Sequence, residues 1–168
     1  LNYLMQKTEK EYDRDGVRAA AGKVNESLLR DIQKVYAKFR VKRPSLGREG
    51  FEKSIMPLLD QKKISLDDKL CTSVESTAIE IVHAIRAGKT GTVLCTGGGV
   101  FNSFLMSRIL EHAGDGMSLI IPEKDVVKFK EALVFAFLGV LRLEKKMNCL
   151  RSVTGAKTDS SSGVMIGF

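Results

Sequence analysis

Three consecutive glycines, Gly97-Gly98-Gly99, follow the short apolar run Thr92-Val93-Leu94-Cys95 and precede Asn102. With no Cβ on any of the three, a backbone can approach a phosphate, a sugar or a base closely and can take positive φ. A helix beginning just after Asn102 would aim its free N–H groups at the same place, favouring an anion or a polar ligand edge. A merely tight turn remains the alternative, because the run is neither of the common glycine-rich phosphate motifs. Glu131 is the second candidate. It opens the apolar stretch Ala132-Leu133-Val134-Phe135-Ala136-Phe137-Leu138, where a carboxylate faces either solvent or a cleft. The remaining reactive residues form no set. His83 and His112 read as surface or packing residues, and no Ser-His-Asp arrangement can be built on them. Cys71, Cys95 and Cys149 are widely spaced and read as free thiols of a reducing compartment rather than zinc ligands, which points to the cytoplasm.

The elements that position these residues follow from periodicity. Leu1–Lys10 is a short helix candidate, followed by a turn at Asp13-Arg14-Asp15-Gly16. Asn25 caps a helix from Glu26, with Leu28, Leu29, Ile32 and Val35 or Tyr36 on one face. Arg43-Pro44-Ser45-Leu46-Gly47 punctuates the chain, and a helix from Arg48 to Met56 is expected to stop near Pro57. Ser65 and Asp68 have the spacing of a capping box. Beyond them Leu70, Val74, Ala78, Ile81 and Ile85 make a stripe, with Glu75 and Glu80 off it, and Ala87-Gly88 ends the run.

The period then changes. Thr92–Cys95, the glycines, a helix capped by Asn102 and closed by Gly114–Gly116, and Leu119-Ile120-Ile121 make a βαβ unit with parallel strands and a right-handed crossover. A helix from Val126 to Leu143 follows. Its run Ala132–Leu141 is too short to span a bilayer and is expected to be buried. The tail after Ala156 is expected to be mobile. Residues 1–64 thus read as a helical subregion, 65–156 as a helix plus a βαβα core, and 157–168 as a tail. Two short parallel strands cannot cover both faces of a sheet, so an α/β lobe with further strands elsewhere is expected. The uncovered strand face predicts association, with copies of the chain or with a missing lobe.

The 168 residues, 43% hydrophobic and 28% charged, exclude a largely disordered chain. Leu1–Tyr12 mixes acids and bases without the apolar segment of a secretory signal. Because the chain begins with Leu1 rather than Met, it reads as a fragment, a processed product or a trimmed chain. The net charge of +7 raises nucleic-acid binding. Only Lys38, Arg40, Lys42 and Arg43 cluster, however, and no aromatic platform alternates with the bases. A solvated basic surface, or one facing an acidic partner, is the simpler account.

Six blocks in order resemble the C-terminal half of the anhydro-N-acetylmuramic acid kinases. They are Tyr12–Gly16, Gly22–Glu26, Ser45–Glu49, Thr96–Asn102, Lys130–Leu138 and Ser152–Ala156. The resemblance implies an actin-like ATPase fold, with two α/β lobes of ribonuclease-H-like topology that hold ATP and sugar between them. It implies opening of the 1,6-anhydro ring by water and phosphorylation of the 6-oxygen by ATP with Mg²⁺, the metal held mainly outside this chain. Thr96, Gly97, Gly98, Gly99 and Asn102 match the adenosine-side loop, and Glu131 a sugar-positioning carboxylate. Where the family commonly has Ala-His, Val100-Phe101 stands here, and Phe101 is placed to stack on the nucleotide. The resemblance puts the phosphate loops and the catalytic Asp before Leu1, so the chain alone is expected to be inactive. A nucleotide-binding module of the same fold without catalysis is the alternative.

Overall fold

The computed structural model describes residues 1–42, 47–61, 63–86 and 91–167. Its elements run α1 (Asn2–Met5), α2 (Val17–Ala21), α3 (Glu26–Lys42), α4 (Arg48–Ser54), α5 (Met56–Gln61), α6 (Leu66–Arg86), β1 (Gly91–Leu94), α7 (Ser103–Ala113), β2 (Met117–Ile120), α8 (Lys124–Leu143) and α9 (Arg151–Thr154). The chain divides into two compact units, Leu1–Ile121 and Pro122–Phe168. Punctuation at Arg43–Leu46 and the end of a helix at Ala87-Gly88 lie outside the described residues.

In the first unit the core forms around α6. Leu70, Val74, Ala78 and Val82 are buried in one cluster with Leu28 and Ile32 of α3, Ile55 just before α5, Leu59 within α5, and Leu105, Met106 and Ile109 of α7. The expected stripe faces the core at Leu70, Val74 and Ala78; beyond them Val82 is the buried residue, and Ile81 and Ile85 are half-buried. Asn25 caps α3 as its spacing predicts, Oδ1 accepting from the Leu28 N–H at 3.0 Å. Ser65 Oγ accepts from the Asp68 N–H at 3.1 Å, but the Asp68 carboxylate accepts from the Lys23 N–H at 2.7 Å. It thereby ties the segment before α3 to the start of α6. Thr72 extends that clasp: its hydroxyl accepts from the Asn25 N–H at 2.9 Å and donates to the Asp68 carbonyl at 2.6 Å. Gly22 belongs to the same seam, because a Cβ there would overlap the Asp67 carbonyl. The Gly22–Glu26 motif is thus a fastening of α2 and α3 onto α6.

Two expectations in this unit are corrected. The first helix covers only Asn2–Met5 of the expected Leu1–Lys10. Pro57 does not stop a helix; it lies in the first turn of α5, where its missing N–H would have no partner anyway. The expected strand–helix–strand order and parallel pairing are present. β1 and β2 pair in parallel with Val93 opposite Leu119, and they are the only paired strands among the described residues.

In the second unit α8 is helical as expected but not buried as expected. Leu133, Phe135 and Phe137 are 68%, 71% and 60% exposed, and Val134, Val140 and Leu143 are exposed as well. The physical reason lies in what the unit contains. Beside α8 it has only the four-residue α9 and an extended segment, too little apolar surface to cover a helix that is hydrophobic nearly all round. That extended segment is hydrogen-bonded within its own unit. Cys149 and Ser160 form an antiparallel bridge, and the Asn148 side chain donates to the Leu138 and Ser162 carbonyls while accepting from the Ser162 N–H. Asp159 Oδ1 accepts from the Arg151 N–H at 2.7 Å, at the start of α9.

Candidate functional site

The first candidate is built at the carboxyl end of β1. The Cys95 N–H donates to the Ile120 carbonyl at 2.8 Å, carrying the parallel ladder one residue past the strand. Thr96 leads out of it, and Gly97 turns the chain at φ 88° and ψ 168°, a conformation open to glycine alone. Residues Gly98–Phe101 then form a single tight turn. The Val100 N–H donates to the Gly97 carbonyl and the Asn102 N–H to the Gly99 carbonyl, both at 3.1 Å. Asn102 is extended, and its Oδ1 accepts from the Leu105 N–H at 2.9 Å, capping α7 as its position predicts. Below the cap, α7 buries Leu105, Met106, Ile109 and Ala113, so the helix start is anchored to the core.

One side of this loop is open. Nothing lies within 4 Å of where a Cβ on Gly97 or Gly98 would sit, and the nearest atom to one on Gly99 is Leu105 Cδ2 at 3.9 Å. Phe101 is 41% exposed beside it. The backbone of Gly97–Gly99 is therefore presented to solvent at the amino end of a capped helix, where N–H groups and the helix dipole favour a negative or polar ligand edge.

The other side is closed by the Asp13–Gly16 turn, which sequence reasoning placed without a role. Asp13 is buried, and its two carboxylate oxygens accept from the N–H groups of Arg18 at 3.0 Å and Ala19 at 2.9 Å. Asp15 and Gly16 both take left-handed backbone, at φ 56° and 73°. Gly16 is buried, and a Cβ on it would overlap Asn102 Oδ1 and stand 2.7 Å from Phe104 Cβ.

A second polar centre fixes α7 to α6. Glu75, expected off the buried stripe, is 7% exposed and accepts from Arg108 Nε at 2.7 Å and Nη2 at 3.0 Å, with His112 Nε2 2.7 Å from its Oε1. Arg108 also pairs with Glu111. Burial alone would raise the Glu75 carboxyl, but hydrogen bonds from Arg108 and His112 outweigh it and hold the group below its ordinary value. The nearby Cys71 thiol is pushed up, first by burial and then by the Glu75 charge. The available signal was Arg108 and His112 at i, i+4 on one helix, a spacing that presents two donors to one carboxylate.

Glu131 belongs to the second unit and stands exposed in the interior of α8. His83 is exposed on α6. Among the described residues no group of three or more His, Cys, Asp or Glu could hold a metal ion, and no helix is long and apolar enough to cross a membrane.

A parallel strand, an open glycine turn at its carboxyl end and a side-chain-capped helix belong to an α/β protein, and the turn lies where open sheets commonly bind ligands. Comparison with known proteins is specific about which one. The model of the anhydro-N-acetylmuramic acid kinase family matches residues 2–167, and the chain belongs to that family. Its helix-rich α/β character agrees with the family's actin-like ATPase fold. Curated proteins named anhydro-N-acetylmuramic acid kinase are similar throughout. The one from Sulfurimonas denitrificans is 34% identical over 92% of this chain and 45% of its own length. Those from Streptomyces coelicolor and Vibrio vulnificus are 33% and 31% identical, over 90% and 94% of this chain and 40% and 44% of their own. The chain thus spans less than half the length of these relatives.

Proposed function

We propose that this chain supplies the adenosine-side loop and a sugar-positioning carboxylate of an ATP-dependent kinase. That kinase opens 1,6-anhydro-N-acetylmuramic acid and phosphorylates its 6-oxygen, returning a cell-wall sugar to metabolism in the cytoplasm. Thr96–Gly99 and Asn102 receive the nucleotide, Phe101 stacks beside it, and Glu131 orients the sugar. The observation that carries the reading is the open face of Gly97–Gly99 above a capped helix, in a chain whose family is named for this reaction.

ATP supplies the phosphoryl group when bound. The glycine turn contributes backbone N–H groups already held in place, so no side chain has to move to admit the ligand. Asn102 Oδ1 is committed to the helix and stiffens that backbone, which leaves the side-chain NH2 as its group for the nucleotide. Glu131, as an anion on a helix, accepts hydrogen bonds from sugar hydroxyls and fixes the ring for attack. In this reading, as the family resemblance implies, Mg²⁺ and the aspartate that activates water are supplied mainly by the other part of the kinase, with which this chain forms the working enzyme. A homo-oligomer of that enzyme is part of the reading, prompted by exposed apolar residues such as Leu94 and Ile120.

The test is steady-state kinetics of the kinase at full family length. Gly98→Val places a branched side chain in the open space and raises the KM for ATP sharply. Glu131→Gln lowers turnover or raises the sugar KM by about tenfold, the worth of a charged hydrogen bond, with ATP binding nearly intact. Normal sugar kinetics in a folded Glu131→Gln enzyme would reject that assignment. The 168-residue chain alone shows no sugar-dependent ADP release in a coupled assay; repeated turnovers from it would place the catalytic groups within these residues.

A further inference from the structure

The Tyr12–Gly16 motif has no part in the reading above, yet its last residue is packed against Asn102, the residue that ends the glycine loop and caps α7. Gly16 is buried at φ 73°, and the space a side chain would need is filled by Asn102 Oδ1 and Phe104 Cβ. Asn102 Oδ1 is the same atom that caps α7 through the Leu105 N–H. We infer that the Asp13–Gly16 turn is a positioning element of the glycine loop: Gly16 forms the floor on which the Asn102 side chain rests, and Asp13 holds that floor in place.

Asp13 is suited to the task. Both its oxygens are engaged by backbone N–H groups of α2, so the buried carboxylate fixes where the turn ends and α2 begins. From α2 the restraint passes to α6 through Arg18, whose guanidinium lies 2.7 Å from Asp67. The turn therefore does not float; it is tied to the helix at the centre of the core. Asn102 in turn closes the glycine turn through its own N–H, bonded to the Gly99 carbonyl. A displacement of Asn102 accordingly reaches the open backbone of Gly97–Gly99 within one hydrogen bond. An alanine at position 16 has two penalties acting together: a left-handed backbone that L side chains rarely adopt, and an overlap with the capping oxygen.

The structural coupling stands by itself; its effect on ATP rests on the nucleotide reading of the loop. Amide hydrogen exchange at Leu105 and the two KM values, measured on the full-length kinase, separate the two. Gly16→Ala should speed Leu105 exchange and raise the ATP KM, each by about fivefold or more, the usual worth of an amino-terminal cap, while the sugar KM stays within about twofold. Asn102→Ala should do the same. In Leu105 exchange and ATP KM the double variant should be little worse than Asn102→Ala, since the capping oxygen through which Gly16 acts on the loop is then gone. The left-handed strain and the overlap with Phe104 Cβ add only to the loss of stability. Unchanged Leu105 exchange in folded Gly16→Ala, or a double variant whose effects simply add, would overturn the inference. Should Gly16→Ala fail to fold, Asp13→Asn decides: faster Leu105 exchange in that folded variant supports the coupling, and unchanged exchange refutes it. If Leu105 responds and the ATP KM does not, the turn positions the loop and the nucleotide reading is what fails.

Discussion

α6 and α8 are nearly equal in length, 21 and 20 residues, and both carry an abundance of apolar side chains. Their environments could hardly differ more. α6 has Leu70, Val74, Ala78 and Val82 fully enclosed, and even Thr72, Glu75 and Ser76 are buried along it. On α8, only Val127 is buried, while Leu133, Phe135 and Phe137 stand mostly in solvent. Apolar content therefore forecasts the helix but not its burial. Burial depends on neighbours: α6 has α2, α3 and α7 around it, whereas within its own unit α8 has a single helical turn and a strip of extended chain.

The comparison breaks most cleanly at its apolar positions. Leu70→Ala removes a side chain that is completely enclosed and leaves a cavity, and it should cost about 3 kcal/mol in denaturant unfolding of the chain. Phe135→Ala on α8, although it deletes a larger group, should change the same measurement by no more than about 0.5 kcal/mol. A cost above about 2 kcal/mol for Phe135→Ala would show that α8 is covered in solution. The same variant in the full-length kinase sharpens the contrast, since a larger cost there than in this chain identifies a face that the rest of the enzyme encloses.

Next in size is the polar centre of α6. Glu75→Ala strands Arg108 and His112 against the core and should cost about 2 kcal/mol, below the usual penalty for breaking a buried pair because both partners retain some solvent. The pH dependence follows from the direction of the shift. The Glu75 carboxyl is held lower in the folded chain than in the unfolded one, so its contribution is fully present above about pH 4.5 and is lost as pH falls through the folded value. Unfolding free energies measured from about pH 5 downward should decline more steeply in the native chain than in Glu75→Gln. Equal slopes would mean that the carboxylate gains nothing from its two partners. Asp60 and Asp68, lowered by bonds from Lys7 and Lys23, add to the acid loss in both proteins and so cancel in the comparison.

The smallest effect has the opposite sign. Ser76 is 2% exposed on α6 and its Oγ has no hydrogen-bond partner among the described residues. Ser76→Ala removes an unsatisfied hydroxyl at almost no loss of volume and should raise stability by about 0.5–1 kcal/mol, seen as a higher Tm. A destabilised variant would indicate that the hydroxyl has a partner after all.

Local features were the most readable from the amino-acid order. Asn25 and Asn102 each cap through a residue three positions ahead, and the change from helical to strand period at Thr92 marked the parallel unit. Distant pairings were not readable. Glu75 lies off the apolar stripe by period alone, and only the approach of Arg108 and His112 makes its burial affordable. Asp68 has the spacing to cap its own helix, yet its carboxylate accepts from Lys23, because the folded chain brings a free N–H there. Gly16 looked like any turn glycine until Asn102 was found in the space its side chain would take. The open glycine face was legible as a candidate from its composition; the turn beneath it was not.

The contact between Gly16 and Asn102 also bears on how the chain reaches its native form. Asn102 can cap α7 from within a stretch of four residues, so that bond is available early, at little loop-closure cost. The turn that receives it lies most of the first unit away along the chain, and it can dock only after α2, α3 and α6 have closed the intervening loop. The glycine loop is thus drafted locally and finished late. The cap itself is a short-range bond, while the support beneath it is complete only when the core around α6 has packed.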